Sequence, residues 1–218
     1  MPHTKTPIVA TLALLTPIAL YAYRAHEEQA AKPPAKPATT QTPTTAKKLT
    51  TAQKILNAMS AAPAEISKNA TIMDWADMPS GQPKQLRPGT NGWVCYPSTP
   101  VEAAGGEDPM CIDKPWQSWA EAWMSKTPPK ITGPGIAYML KGDKGASNTD
   151  PFATAPTPTN QWVVSPSHVM VLFEDPKVLD AYPTDPKNGG PWVMWKGTAY
   201  AHLMVPVSAT KIATMPVK

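Results

Sequence analysis

Residues Pro191–Val207, PWVMWKGTAYAHLMVPV, constrain the fold more than any other stretch of the chain. Two apolar runs, Trp192–Trp195 and Tyr200–Val205, flank a Lys196-Gly197-Thr198 break, and this pattern predicts a β-hairpin. The second run carries His202-Leu203-Met204-Val205, and an earlier apolar run carries the matching string His168-Val169-Met170-Val171. Side chains at i and i+2 of a strand point to one face, so each run presents a His and a Met together. If the two strands are neighbours, two imidazoles and two thioethers meet. The sequence contains no other constellation with as clear a chemical reading.

The cysteines narrow the class further. The chain has two, Cys95 and Cys111, separated by a loop containing Pro100, Gly105, Gly106 and Pro109. An even pair at this spacing in an exported protein reads as a structural disulfide, ahead of a catalytic or metal-bound thiolate.

The N-terminus supports export. Lys5 precedes an apolar run from Ile8 to about Tyr23 that is interrupted by Pro17 and shorter than the roughly 20 residues a membrane span needs. Residues 1–25 therefore read as a signal peptide or an N-terminal membrane anchor, with membrane association through residues 8–23 in the second case. Either reading places the rest of the chain outside the cytoplasm, in a periplasmic or otherwise extracytoplasmic location. Residues 26–48 are rich in Pro, Thr, Ala and Lys and lack large apolar side chains. Such a segment cannot offset its ordering entropy and is expected to be a disordered linker. Residues 49–218 are expected to form a single globular domain.

Charge excludes one class of partner. The whole chain carries +4. Six basic residues before Leu49 (Lys5, Arg24, Lys32, Lys36, Lys47 and Lys48) against Glu27 and Glu28 account for all of it. The expected domain is neutral, so no nucleic-acid partner is expected.

Helical signals are local and clear. Thr50 or Thr51 can cap a helix through Ser60 that places Ile55, Leu56 and Met59 on one face. Asp113 can cap a second helix with Pro115 in its first turn, stopped by Pro128-Pro129. Trp116, Trp119 and Trp123, with Ala120 and Met124, form its wide apolar face. Core packing is the first reading of those indoles; the alternative is an aromatic platform for a sugar ring or a peptidoglycan fragment. Asp175-Pro176 opens a short third helix. Strands are expected at Ala70–Trp75, Trp93–Tyr96, Gly135–Leu140, Trp162–Val164 and His168–Phe173. The stretch from Lys141 to Gln161 reads as a long polar loop, whose Ser147-Asn148-Thr149-Asp150 oxygens suit turn capping better than calcium. The expected fold class is α+β: a mainly antiparallel sheet of short strands, two or three helices packed on it, and one disulfide.

From about Ala62 onwards the chain resembles a group of uncharacterised, exported bacterial proteins. The motifs that carry the resemblance are NGWVCYP, DPMC, GIAYML, SNTDPFAT, TDPKNGGPWVMW and YAHLMVP. No activity is established for that group, so the resemblance implies export and assigns no site residue.

Three functional readings follow. The first is a non-enzymatic extracytoplasmic binding or structural protein, since no Gly-x-Ser-x-Gly, P-loop, His-Glu-x-x-His or dinucleotide fingerprint occurs. The second is metal binding, with copper as the cofactor and His168, Met170, His202 and Met204 as ligands, because thioether and imidazole groups suit its two oxidation states. The third is a cell-envelope hydrolase using His168 or His202 as acid or base, paired with a carboxylate such as Asp74 or Asp150.

Overall fold

The computed structural model divides the chain into two units, Met1–Thr44 and Thr45–Lys218. It describes residues 49–75, 83–99, 107–208 and 212–214, all in the second unit. The candidate signal segment or anchor and most of the expected linker lie outside the described residues. Among the described residues no helix is long and apolar enough to cross a membrane.

Helix α1 (Thr51–Met59) begins as its sequence requires. Thr50 accepts from the Gln53 backbone while the Gln53 side chain accepts from the Thr50 backbone, a reciprocal capping box. Its inner face differs from the expectation: Ile55 and Met59 pack on the core beside buried Ala58, whereas Leu56 is 68% exposed. Helix α2 (Ala64–Ser67) follows Pro63. Helix α3 (Lys114–Met124) is capped by Asp113, whose carboxylate accepts from Trp116 N at 3.1 Å and also from Ile136 N at 2.6 Å. That second bond ties the start of the helix to the sheet. A 3₁₀ helix at Pro176–Ala181 takes the place of the third expected helix, with Asp175 as its cap.

The main sheet has eight strands: β1 (Thr71–Asp74), β2 (Lys84–Arg87), β3 (Val94–Tyr96), β4 (Met110–Ile112), β5 (Gly135–Met139), β8 (His168–Leu172), β9 (Trp192–Met194) and β10 (His202–Pro206). Their order is β2-β1-β3-β4-β5-β8-β10-β9, antiparallel except for the parallel pair β1–β3. A second sheet joins β6 (Ala146–Ser147), β7 (Trp162–Val164) and β11 (Ala213–Thr214) in the order β11-β7-β6. The fold is therefore α+β with a mainly antiparallel sheet, and β9 and β10 form the hairpin that the sequence predicts. Four strands, β2, β4, β6 and β11, fall outside the expected ones. Strand β2 lies in the Pro/Gly-rich segment, anchored by Arg87 donating to the Ser67 and Ala70 carbonyls at 2.7 and 2.8 Å. Strand β6 lies inside the Lys141–Gln161 stretch.

Alternation along the strands divides the core. Ile72, Cys95 and Cys111 pack under α1. Ile112, Ala137, Met170 and Met204 face the other way, against Trp116 and Trp119 of α3. Val193 and Leu203 meet Leu179 of the 3₁₀ helix. The sheet is thus covered on both faces, which explains why its central strands are apolar throughout. Cys95 and Cys111 are cross-strand partners on β3 and β4 and form the expected disulfide, with Cα atoms 4.0 Å apart.

Candidate functional site

Strands β8 and β10 are neighbours, as the twin His-x-Met strings require, and their register decides what meets. Met204 lies directly opposite Met170, but His168 lies opposite Pro206. The two thioethers pair, and the two histidines stand on opposite sides of that pair, their Cα positions offset by about 13 Å along the strand direction at about 3.3 Å per residue. Charge on His168 still disfavours charge on His202. The two rings nevertheless cannot share one ligand sphere, so His168, Met170, His202 and Met204 do not form a single four-ligand centre. Among the described residues no group of three or more His, Cys, Asp and Glu is placed to hold a metal ion.

Register also supplies partners that the sequence reading missed. Met139 of β5 lies opposite His168, and Met194 of β9 lies opposite His202. Each histidine therefore has one thioether two residues along its own strand and another directly across the sheet. The sequence carries both methionines, but nothing in its periodicity aligns them with the histidines.

The two imidazoles share one backbone device. His168 Nδ1 bonds the Pro166 carbonyl at 2.7 Å and His202 Nδ1 bonds the Tyr200 carbonyl at 3.0 Å, each two residues back. A carbonyl only accepts, so Nδ1 carries the proton and Nε2 is the basic nitrogen. Neither Nε2 has a hydrogen-bond partner, and both rings are buried. Burial lowers the His202 pKa to about 4 against the pull of the Tyr200 carbonyl. Burial lowers that of His168 too, opposed by Asp143.

Asp143, rather than Asp74 or Asp150, is the carboxylate near a histidine. Its Oδ2 lies 4.0 Å from His168 Nε2, beyond hydrogen-bond reach. Its Oδ1 accepts from the backbone N–H groups of Gly145 and Ser165, both at 3.0 Å. Burial raises its pKa, with His168 and those N–H groups pulling it down. Asp74 is instead paired with Lys54 at 2.5 Å, and Asp150 caps the Phe152 N–H at 2.8 Å.

Two indoles of α3 and one from the β9–β10 hairpin surround His202. Trp116, Trp119 and Trp195 lie 5.3, 5.8 and 5.0 Å from the imidazole centroid, all close to perpendicular to it. Trp195 reaches this position from a left-handed backbone at φ 58°, a conformation that is costly for a bulky side chain. The segment ahead of the loop holds it there. Trp195 Nε1 donates to the Ser147 carbonyl at 2.6 Å, its backbone N donates to the Asn148 carbonyl at 2.9 Å, and Trp192 Nε1 donates to Asn148 Oδ1 at 3.1 Å. Ser147 and Asn148 thus serve as structural caps, not cation ligands.

The aromatic platform differs from its expected form. Trp116 and Trp119 are 3% and 6% exposed, so their faces are closed to a sugar. Met124, expected on the same inner face, is 57% exposed. Trp123 is half-buried and continues a ladder of nearly parallel rings. Trp195–Trp119, Trp119–Trp123 and Trp123–Phe152 are 5.8, 6.4 and 6.3 Å apart, with interplanar angles of 5°, 6° and 12°. The ladder runs from the buried imidazole to Phe152, which is 40% exposed.

Phe152 opens onto a groove of about 470 Å³, bordered by Thr149, Asp150, Thr154, Thr157 and Asn160. A second, more enclosed cavity of about 130 Å³ lies between Trp119, Ile131, Leu172, Pro176 and Leu179. No histidine lines either of these cavities. Compared with protein-family models, curated proteins and solved structures, the chain matches none.

Proposed function

We propose that the protein is an exported, non-enzymatic binding domain whose ligand is a hydroxyl-rich glycan of the cell envelope, taken in the groove at residues 149–160. The observation that carries this reading is the groove's composition: an exposed aromatic ring beside hydroxyl, carboxylate and amide groups. A sugar presents an apolar C–H face and a rim of hydroxyls, and such a wall matches both. Trp123 stacks behind Phe152 and Tyr200 meets its edge at 5.3 Å, so the ring is held in place before a ligand arrives. Export is supported by the apolar N-terminal run, the disulfide and the resemblance noted above. A hydrolase is the weaker reading, because an acid–base group must reach its substrate and both imidazoles are sealed in the core.

The test is titration of the full chain with soluble peptidoglycan fragments and neutral envelope oligosaccharides, read by tryptophan fluorescence. Phe152→Ala is expected to weaken binding about tenfold or more, equivalent to about 1.4 kcal/mol. Absence of binding to every glycan, or equal binding by the variant, refutes the proposal.

A further inference from the structure

We propose that His202 Nε2, with the thioethers of Met194 and Met204, forms a buried binding site for a soft monovalent cation, Cu(I), enclosed by the indoles of Trp116, Trp119 and Trp195. This site is separate from the groove and differs from the twin-string arrangement in both its ligands and its place. It uses one histidine and a methionine from the neighbouring strand.

Three observations converge on it. The bond from Nδ1 to the Tyr200 carbonyl leaves Nε2 as an unprotonated lone pair, buried at 2% residue exposure and without a partner. Such an atom forfeits its hydration and receives nothing in return unless something binds it. Register then brings sulfur to the same place. Met194 is directly across from His202, and Met204 is two residues along on the same face. Directly opposed side chains have Cβ atoms about 5 Å apart, well within the reach of two flexible thioethers. Both methionines are buried, at 3% and 1% exposure.

The surroundings select the ion. All three donors are neutral, and the residues ringing the imidazole are indoles rather than carboxylates. Hard divalent cations need anionic oxygen, which this site lacks. A low-charge soft ion suits imidazole nitrogen and thioether sulfur, and π density beside it adds further stabilisation. His168 does not offer the same environment, because its Nε2 faces Asp143. Trp116 Nε1 and Trp119 Nε1 are also buried without partners. One water accepting from an indole and donating to Nε2 is therefore the rival occupant.

Ag(I) is the probe, since it has the charge and ligand preference of Cu(I) and needs no reductant that would open the disulfide. The full-length oxidised protein, labelled with ¹³C at its methionine methyls, is titrated with Ag(I) and followed by NMR and tryptophan fluorescence. Saturation at one equivalent is expected, with the Met194 and Met204 methyls shifting and the indole emission quenched. Met194→Leu combined with Met204→Leu conserves volume and is expected to weaken binding by at least about 100-fold, the upper end of what losing an outer-sphere partner costs. Met139→Leu, beside His168, is expected to bind as the parent does. Three results overturn the proposal: no uptake, which leaves water as the occupant; shifts confined to exposed Met124 or to methionines outside the described residues; or affinity unchanged in the double variant. The wild-type methyl shifts decide the matter even if the double variant fails to fold.

Discussion

His202 shows how far one side chain departs from its ordinary chemistry once it is enclosed. Its pKa falls to about 4 because burial removes the water that would solvate an imidazolium, a loss the Tyr200 carbonyl offsets only in part. In the unfolded chain it titrates near 6.5. Above that value both states are neutral. As pH falls below it the unfolded chain takes up a proton that the folded chain refuses until about 4, so stability declines across this window. The contribution lost at its foot is about 3 kcal/mol. His168, lowered in the same way, acts in the same sense; Asp143, raised by burial, acts in the opposite one. The imidazole carbon protons of His202 are therefore expected to show no titration by NMR between pH 7 and about 5. A midpoint near 6.5 would show that the ring is solvated.

At the level of elements, the fold depends on short strands that have little stability of their own. Strands β3 and β4 are three residues each, and 16 positions separate the cysteines that join them. The disulfide joins a directly opposed pair, so it holds the register of both strands while closing the intervening loop. Loop-closure entropy puts its contribution at about 3 kcal/mol. Replacing Cys95 and Cys111 together by Ala is expected to lower the free energy of unfolding by about that amount in urea denaturation. A loss well below 1 kcal/mol would mean that packing around Ala58 and Ile72 holds the register unaided. Helix α3 is secured differently, through Asp113, which caps the helix and bonds β5 with one carboxylate.

For the molecule as a whole, charge and aromatic content point to the same kind of partner. The residues from Leu49 onwards are neutral, and the groove is bordered by Thr, Asn and one Asp instead of a basic stripe. Binding driven by stacking and neutral hydrogen bonds is insensitive to ionic strength, whereas binding to a polyanion weakens steeply as counterions compete. Glycan affinity is expected to change less than about twofold between about 50 mM and about 500 mM salt. A steep decline would identify an anionic polymer as the ligand. The aromatic ladder makes this measurement practical, because a ligand on Phe152 alters the surroundings of Trp123 directly.

The sequence alone determined whatever depends on neighbours along the chain. Thr50 and Asp113 mark helix starts because a cap bonds an N–H three residues on. Lys196-Gly197-Thr198 marks the hairpin because Gly197 can adopt φ 83°. The α+β class was legible from the same local patterns, and the disulfide because two cysteines allow one pairing. Strand β2, reading KQLR, was not, because it lacks an apolar alternation and is held by Arg87 reaching back to Ser67 and Ala70. Helical periodicity placed Leu56 and Met124 on inner faces but carried no information on how wide a stripe the sheet covers. Above all, tertiary structure decided which chemistry assembles. Two identical His-x-Met strings say nothing about offset, and the β8–β10 register that pairs Met170 with Met204 is what separates His168 from His202. The β9–β10 and β5–β8 registers bring Met194 to His202 and Met139 to His168, and the fold carries Asp143 to His168. Cross-strand partners are set by hydrogen bonds between segments distant in sequence, and no local periodicity encodes them.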